Sequence, residues 1–193
     1  MLTRDLARGF EEDTFSARVR NCAKGLAERG AAALAELFDL AAPRSVRYAR
    51  ALTGNQEDAE DALQAAFVRV ALYPKALADA DHSWAYLLRI VRNQALKLIQ
   101  KKRVHEERSQ EEDAWAQENS IDFEAQQLVQ QSLEKLPSRQ SEVVVLKIWE
   151  GMTFAEIAEV LGESPNTAAS RYRYALQKLA HYLAPLAEEA RYV

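Results

Sequence analysis

Thr153 to Arg173 reads TFAEIAEVLGESPNTAASRYR. Thr153 and Glu156 have the Thr-x-x-Glu spacing of a capping box, in which a hydroxyl and a carboxylate satisfy the free N–H groups of a helix start. Ile157, Ala158, Val160 and Leu161 then predict a short apolar helix. Gly162 supplies a turn, Ser164 a cap, and Pro165 a first-turn proline whose fixed φ suits a helix start. The second helix carries Asn166, Thr167, Ser170, Arg171 and Arg173 before Leu176, Leu179 and Leu183. This is the shape of a helix-turn-helix. Such a unit sets the N-terminal half of its second helix into the major groove of DNA. Asn, Thr, Ser and Arg are the side chains that bond base edges and phosphates there. An ordinary helical hairpin has the same spacing.

Upstream, Leu128, Ser132, Leu133 and Leu136 precede Pro137, and Ser138 is expected to cap a helix running through Val144, Leu146 and Ile148 to Gly151. Val143-Val144-Val145 has strand propensity, which weakens the helical pattern there. These segments define a second unit, residues 127–184, followed by a tail, 185–193. Before it, Glu106 to Glu124 holds eight acids and a single base, Arg108, with few aliphatic residues. That stretch reads as a linker or a solvated helix between two packed units, and residues 105–126 are taken as a flexible acidic linker.

The first unit is placed at residues 31–104. Leu34, Leu37 and Phe38, then Val46, Ala49 and Leu52, recur at helical spacing. Pro43 is expected to bend or interrupt that helix. Gly54 marks its stop and Asn55 the cap of the next, whose apolar stripe is Ala59, Ala62, Leu63, Ala66, Phe67 and Val70. Tyr73-Pro74 ends it, and a polar loop, Ala78 to His82, follows. Ser83 is expected to cap a third helix with the stripe Trp84, Leu87, Leu88, Val91, Ala95 and Leu98. From Trp84 to Arg103 six bases (Arg89, Arg92, Lys97, Lys101, Lys102 and Arg103) run without an acid. Such a face either holds phosphates or is simply solvated. Trp84 and Tyr86 are able to stack on bases, although Trp84 sits on the apolar stripe. The acids Glu57, Asp58, Glu60 and Asp61 favour a helix N-terminus or serve protein docking.

Composition agrees with an all-α fold of two small helical domains. The 193 residues are 48% hydrophobic, with six glycines and five prolines. Lys and Arg number 25 against 29 Asp and Glu, a net charge of −4, which excludes a uniformly basic coat but not a local basic face. One cysteine, Cys22, excludes an internal disulfide framework and fits a reducing compartment. No apolar run reaches the ~20 residues that span a bilayer. The expected location is the cytoplasm. His82, His105, His181 and Cys22 lack metal-ligand spacing. No phosphate loop or nucleophile elbow is present, so no metal, cofactor or enzymatic activity is expected.

Taken in order, three blocks resemble an extracytoplasmic-function (ECF) sigma factor. They are Asp58–Phe67, Trp84–Asn93, and Leu133-Glu134-Lys135-Leu136-Pro137 through Leu179. The resemblance spans roughly Leu34 to Leu183. It implies a first domain, sigma region 2, that docks on the β′ clamp helices of RNA polymerase core through Asp58, Glu60, Asp61, Gln64 and Phe67. The same domain would read and melt the −10 element through Arg89, Arg92, Asn93, Lys97, Trp84 and Tyr86, together with the loop Ala78 to His82. It implies a second domain, sigma region 4, that binds the −35 element through Asn166, Thr167, Ser170, Arg171 and Arg173 and also meets the β flap. An anti-sigma partner is a further implication. The chain departs from the family pattern at Ala65, usually Glu; at Lys97 and Gln100, often Asp and Arg; and at Ala169, often a phosphate-binding Lys. Residues 1–30 have no counterpart in the minimal pattern. Leu6, Phe10, Phe15, Val19 and Leu26 suit an amphipathic helix there, either a partner-binding extension or a frayed end. Two other classes fit parts of the pattern: a conventional helix-turn-helix regulator, and a sigma-like decoy.

Overall fold

The computed structural model describes residues 14–106, 131–133 and 135–189, with side chains to Lys102 in the first segment and to Leu183 in the last. Residues 107–126 of the acidic linker, Leu6 and Phe10 lie outside the described residues. Among the described residues all regular structure is helical. The chain divides into two compact units, one built on residues up to Lys101 and the other on those from Lys102 to Ala158 and from Glu163 onward.

The first unit contains α1 (Phe15–Arg29), α2 (Ala31–Thr53), α3 (Gln56–Leu72), the short α4 (Pro74–Ala78) and α5 (Ser83–Glu106). Helices α2 and α3 pack on each other, and α1 packs on both α2 and α4. Many contact positions are alanines: Ala41 and Ala49 on α2, Ala59, Ala62 and Ala66 on α3, all buried. Small side chains let helix axes approach closely. The gaps are filled by Leu37, Tyr48, Val70, Leu77, Leu87, Leu88 and Val91, each nearly inaccessible.

Local signals behave as the sequence indicates at several ends. Gly54 takes the left-handed conformation, φ 81°, and its N–H closes on the Arg50 carbonyl. Asn55 caps α3, its Oδ1 accepting from the Asp58 N–H at 2.8 Å. All six positions of the expected α3 stripe are buried.

Four expectations are corrected. Pro43 does not interrupt its helix; α2 runs through it from Ala31 to Thr53. Pro43 and Asp39, whose carbonyl loses its helical donor, both face solvent, so water can satisfy that carbonyl. The buried residues Ala41, Ser45, Tyr48 and Ala49 on the opposite face hold the helix together against a proline penalty of about 3 kcal/mol. Ser83 is the first residue of α5 and its buried hydroxyl has no hydrogen-bond partner, so it is not the cap. Ser138 likewise lies inside its helix; Pro137 occupies the cap position, its carbonyl accepting from Gln140 and Ser141. Finally, the packed part of the first unit begins well before residue 31. Thr14 caps α1, and Val19, Ala23 and Leu26 are buried. Arg20 also donates to the Asp81 carbonyl at 3.5 Å. At the front of α1 the Phe15 ring meets Trp84 edge-on at 4.8 Å, and the Arg44 guanidinium lies 4.1 Å from the centre of the Phe15 ring.

The second unit contains α6 (Ser138–Ile148), α7 (Phe154–Leu161) and α8 (Pro165–Glu189), with residues 131–133 also helical. Despite their strand propensity, Val143, Val144 and Val145 are helical and buried, because burial against other helices outweighs a propensity worth tenths of a kcal/mol. α6 packs on α8, and Phe154 tilts against Tyr172 at 5.7 Å. Lys147 reaches over the Gly151 turn, donating to the Met152 carbonyl at 2.9 Å and lying 5.0 Å from the Phe154 ring centre.

Candidate nucleic-acid interface

The capping box at Thr153 forms in both directions. Glu156 accepts from the Thr153 N–H and hydroxyl, each at 2.8 Å, while the Glu156 N–H donates back to the Thr153 hydroxyl at 3.3 Å. α7 ends where Gly162 turns left-handed, φ 68°. The Glu163 N–H then returns to the Ala158 carbonyl at 3.0 Å, the long-range bond of a Schellman turn. Ser164 caps α8, its hydroxyl accepting from the Thr167 N–H at 3.1 Å and sharing a 2.8 Å bond with the Thr167 hydroxyl. These bonds fix the angle at which the second helix leaves the turn.

At the head of α8, Asn166 and Arg173 are exposed and Thr167, Ser170 and Arg171 are half-buried, while Ala168 and Ala175 point inward. Arg173 lies 5.3 Å from the Tyr174 ring centre. The Thr167 hydroxyl is engaged by Ser164. Arg171 is engaged as well, its Nη1 donating to Glu163 Oε2 across the turn. Glu163 was not among the residues expected from sequence; it falls eight positions from Arg171, outside any helical i, i+4 pairing.

On α5, Arg89, Asn93 and Lys97 share one exposed row, spaced four apart, with Tyr86 half-buried at its start. The Arg89 guanidinium lies 5.2 Å from the Tyr86 ring centre. Two expected members do not join this row. Arg92 is only 6% exposed and has interactions within the protein, and Trp84 is only 2% exposed beneath Phe15 and Arg44. Both point into the bundle, because helical phase turns Trp84 and Arg92 toward the side that carries Leu88 and Val91. Beside Tyr86 is a cleft of about 190 Å³ lined by Arg69, Tyr73, Ala76, Leu77 and Ile90 among others. Arg69 and Tyr73 were also not anticipated, since they sit on a different helix end.

The outward face of α3 changes character along its length. Glu57, Glu60, Asp61, Gln64 and Ala65 are exposed at its N-terminal end, and Val68 and Leu72 continue the row with Tyr73 just beyond. The last three are 60%, 67% and 62% exposed, so the acidic end runs into an uncovered apolar end. Gln56 braces Glu60 at 2.6 Å. Two expected docking residues again face inward. Asp58 is only 5% exposed and bonds Asn55, and Phe67 is buried against Phe38 at 5.0 Å. Among the described residues, no group of three or more His, Cys, Asp or Glu is placed to hold a metal, and no helix is long and apolar enough to cross a membrane.

The sequence profile of Sigma-70 region 2 matches residues 37–104, and that of Sigma-70, region 4 matches residues 126–179. The chain is 32% identical to an RNA polymerase sigma-E factor of Streptomyces avermitilis over 72% of its own length and 78% of that protein. It is 28% identical to the ECF RNA polymerase sigma factor SigL of Mycobacterium tuberculosis, over 80% of the chain and 91% of SigL. The fold is similar to that of CnrH, solved in complex with the cytosolic domain of CnrY: 26% identity, TM-score 0.63, covering 87% of this chain and 98% of that one. It is also similar to the fold of RpoE, solved with the anti-sigma factor NepR from Bartonella quintana: 24% identity, TM-score 0.64, covering 76% of this chain and 94% of that one.

Proposed function

The chain belongs to the ECF RNA polymerase sigma factors, and from that premise we propose how its own side chains divide the work of promoter recognition and opening. It is an alternative sigma factor of transcription initiation, binding polymerase core and promoter DNA.

Region 2 occupies residues 31–104 in this assignment, joined by α1, and region 4 occupies 127–184. The linker 105–126 tethers them. Tethering raises the effective concentration of the second DNA contact once the first is made. Asn166, Thr167, Ser170, Arg171 and Arg173 face the −35 duplex in the major groove. Arg89, Asn93 and Lys97 take the −10 strand, the two cations holding phosphates and the Asn93 amide, both donor and acceptor, meeting a base edge. Extracting a base from the stack costs a few kcal/mol. The cleft beside Tyr86, with aromatic and arginine walls, suits the extracted base. Glu60, Asp61 and Gln64 dock on polymerase core, and the apolar row Val68, Leu72 and Tyr73 extends that contact. Asp58, Phe67, Trp84 and Arg92 act from beneath, by holding these surfaces in place.

The observation that carries this assignment is the pairing of two exposed faces on one small bundle, an acid-to-apolar face on α3 and an acid-free basic row on α5. A regulator that binds only duplex DNA has no use for the first. The proposed protein has no catalytic chemistry of its own, acts in the cytoplasm, and is open to control by an anti-sigma factor. Run-off transcription with purified polymerase core, genomic promoter fragments and either the native chain or Asp61→Arg tests the reading. Start-specific transcripts from the native chain alone are expected. DNA binding with no core binding would overturn it.

A further inference from the structure

We infer that Glu163 is a specificity-determining positioning residue, which restrains Arg171 so that its guanidinium reads DNA sequence rather than gripping any phosphate that approaches. This rests on the assignment of Arg171 to the −35 contact. Glu163 is pinned by its backbone, because its N–H closes the turn onto the Ala158 carbonyl at 3.0 Å. Its side chain is only 10% exposed, with Oε2 on Arg171 Nη1 and Oε1 buried without a hydrogen-bond partner. Such a carboxylate is held rigidly and cannot swing into solvent without breaking its bond.

Two consequences follow for DNA. Arginine grips a guanine or a phosphate best with two parallel N–H groups. With Nη1 committed to Glu163, the edge formed by Nε and Nη2 remains for a base, and the side chain loses the freedom to follow a displaced phosphate. The Arg171 side chain is one-third exposed, so part of it remains open to a partner. The carboxylate also sits just ahead of the Ser164 cap, beside the positive end of α8. A helix start attracts phosphate, and a negative charge beside it weakens that sequence-independent attraction. Ala169, two positions before Arg171, adds no cation to offset it. The net effect is weaker non-specific binding and a larger difference between right and wrong −35 sequences.

The test uses the full chain assembled with polymerase core, and two fragments: a promoter recovered by run-off transcription, and the same fragment with its −35 segment scrambled. Binding is measured for the native chain, Glu163→Gln, Arg171→Ala and the double variant, with thermal melting of each. Glu163→Gln is expected to tighten binding to the scrambled fragment about 3–10-fold while changing the native promoter less than twofold, and to tighten it clearly less when Arg171 is Ala. A merely structural role would weaken both fragments together and lower the melting temperature. Equal effects on both fragments, an unchanged ratio, or the same effect in the Arg171→Ala background would overturn the inference while leaving the −35 assignment standing. No change in promoter binding with Arg171→Ala would overturn the assignment itself, and the inference with it.

Discussion

Asn55 and Asp58 bond each other twice: the Asp58 N–H donates to Asn55 Oδ1 at 2.8 Å, and Asn55 Nδ2 donates to Asp58 Oδ2 at 2.7 Å. The second acid of the α3 cluster is therefore spent on starting its own helix, while Asp61, one turn further on, is exposed. Asp58→Ala should cost about 1 kcal/mol of stability, lowering Tm by about 4 °C or more. Asp61→Arg should change stability by less than about 0.5 kcal/mol and weaken core binding at least ~10-fold, a loss of about 1.4 kcal/mol. Thermal melting and core-binding titration of both variants separate the two roles. Equal loss of core affinity at matched stability would show that Asp58 also touches polymerase.

Arg92 and Asn93 are adjacent in sequence and opposite in role. Asn93→Ala removes an exposed amide, so Tm and core affinity should hold while promoter opening falls by about tenfold, near 1.4 kcal/mol. Arg92→Ala removes a buried side chain that interacts within the protein and should cost about 2 kcal/mol of stability. Permanganate reactivity of unpaired thymines reads the first effect and melting the second. Normal opening with Asn93→Ala would remove Asn93 from the −10 contact.

Phe15 ties α1 to the bundle through Trp84 and Arg44. Phe15→Ala should destabilise the first unit by about 2 kcal/mol, less than for a fully buried phenylalanine, and should alter tryptophan fluorescence as Trp84 gains access to water. An unchanged melting curve would mean that α1 is dispensable to the packed unit.

Arg89 and Lys97 are assigned to phosphates. For each one replaced by Ala, the slope of log affinity against log salt for promoter binding by the assembled polymerase should shrink by about 0.7–0.9. A variant that weakens binding with an unchanged slope would contact a base or the protein instead.

Cys22 lies half-buried on α1. Burial, then the nearby Glu36 carboxylate, push its thiol above the ordinary cysteine value, with Arg29 opposing. Because the pKa is raised, the thiolate fraction at any pH below it is smaller than for a free cysteine. Alkylation by iodoacetamide at pH 8 should be slower than that of a small free thiol, and should accelerate as pH rises. A faster rate at pH 8 would contradict the direction of the shift.

Most helix ends were legible because their signals act within four residues. The Thr153–Glu156 box, the Ser164–Pro165 start, the Gly54 stop and the Asn55 cap each satisfy backbone groups beside them. The misplacements have the same origin. Ser83 and Ser138 are plausible caps by residue type, but neighbouring residues took the cap position. Pro43 carries a strong local penalty, overridden by the packing of the opposite face. Which side chains of the candidate site are exposed was less legible than the elements that carry them, because Asp58, Phe67, Trp84 and Arg92 point inward.

The all-helical class, the two units, the helix-turn-helix and the placement of charge along each helix follow from the order of residues, since periodicity, capping and charge runs are local properties. Tertiary structure alone decided which members of each block remain available to a partner, because burial depends on neighbouring helices distant in the chain. It alone joined Phe15 with Arg44 and Trp84, and it alone set Glu163 against Arg171 across a turn. Neither grouping follows from helical spacing, because each depends on how a turn or a packed neighbour carries one helix back against another.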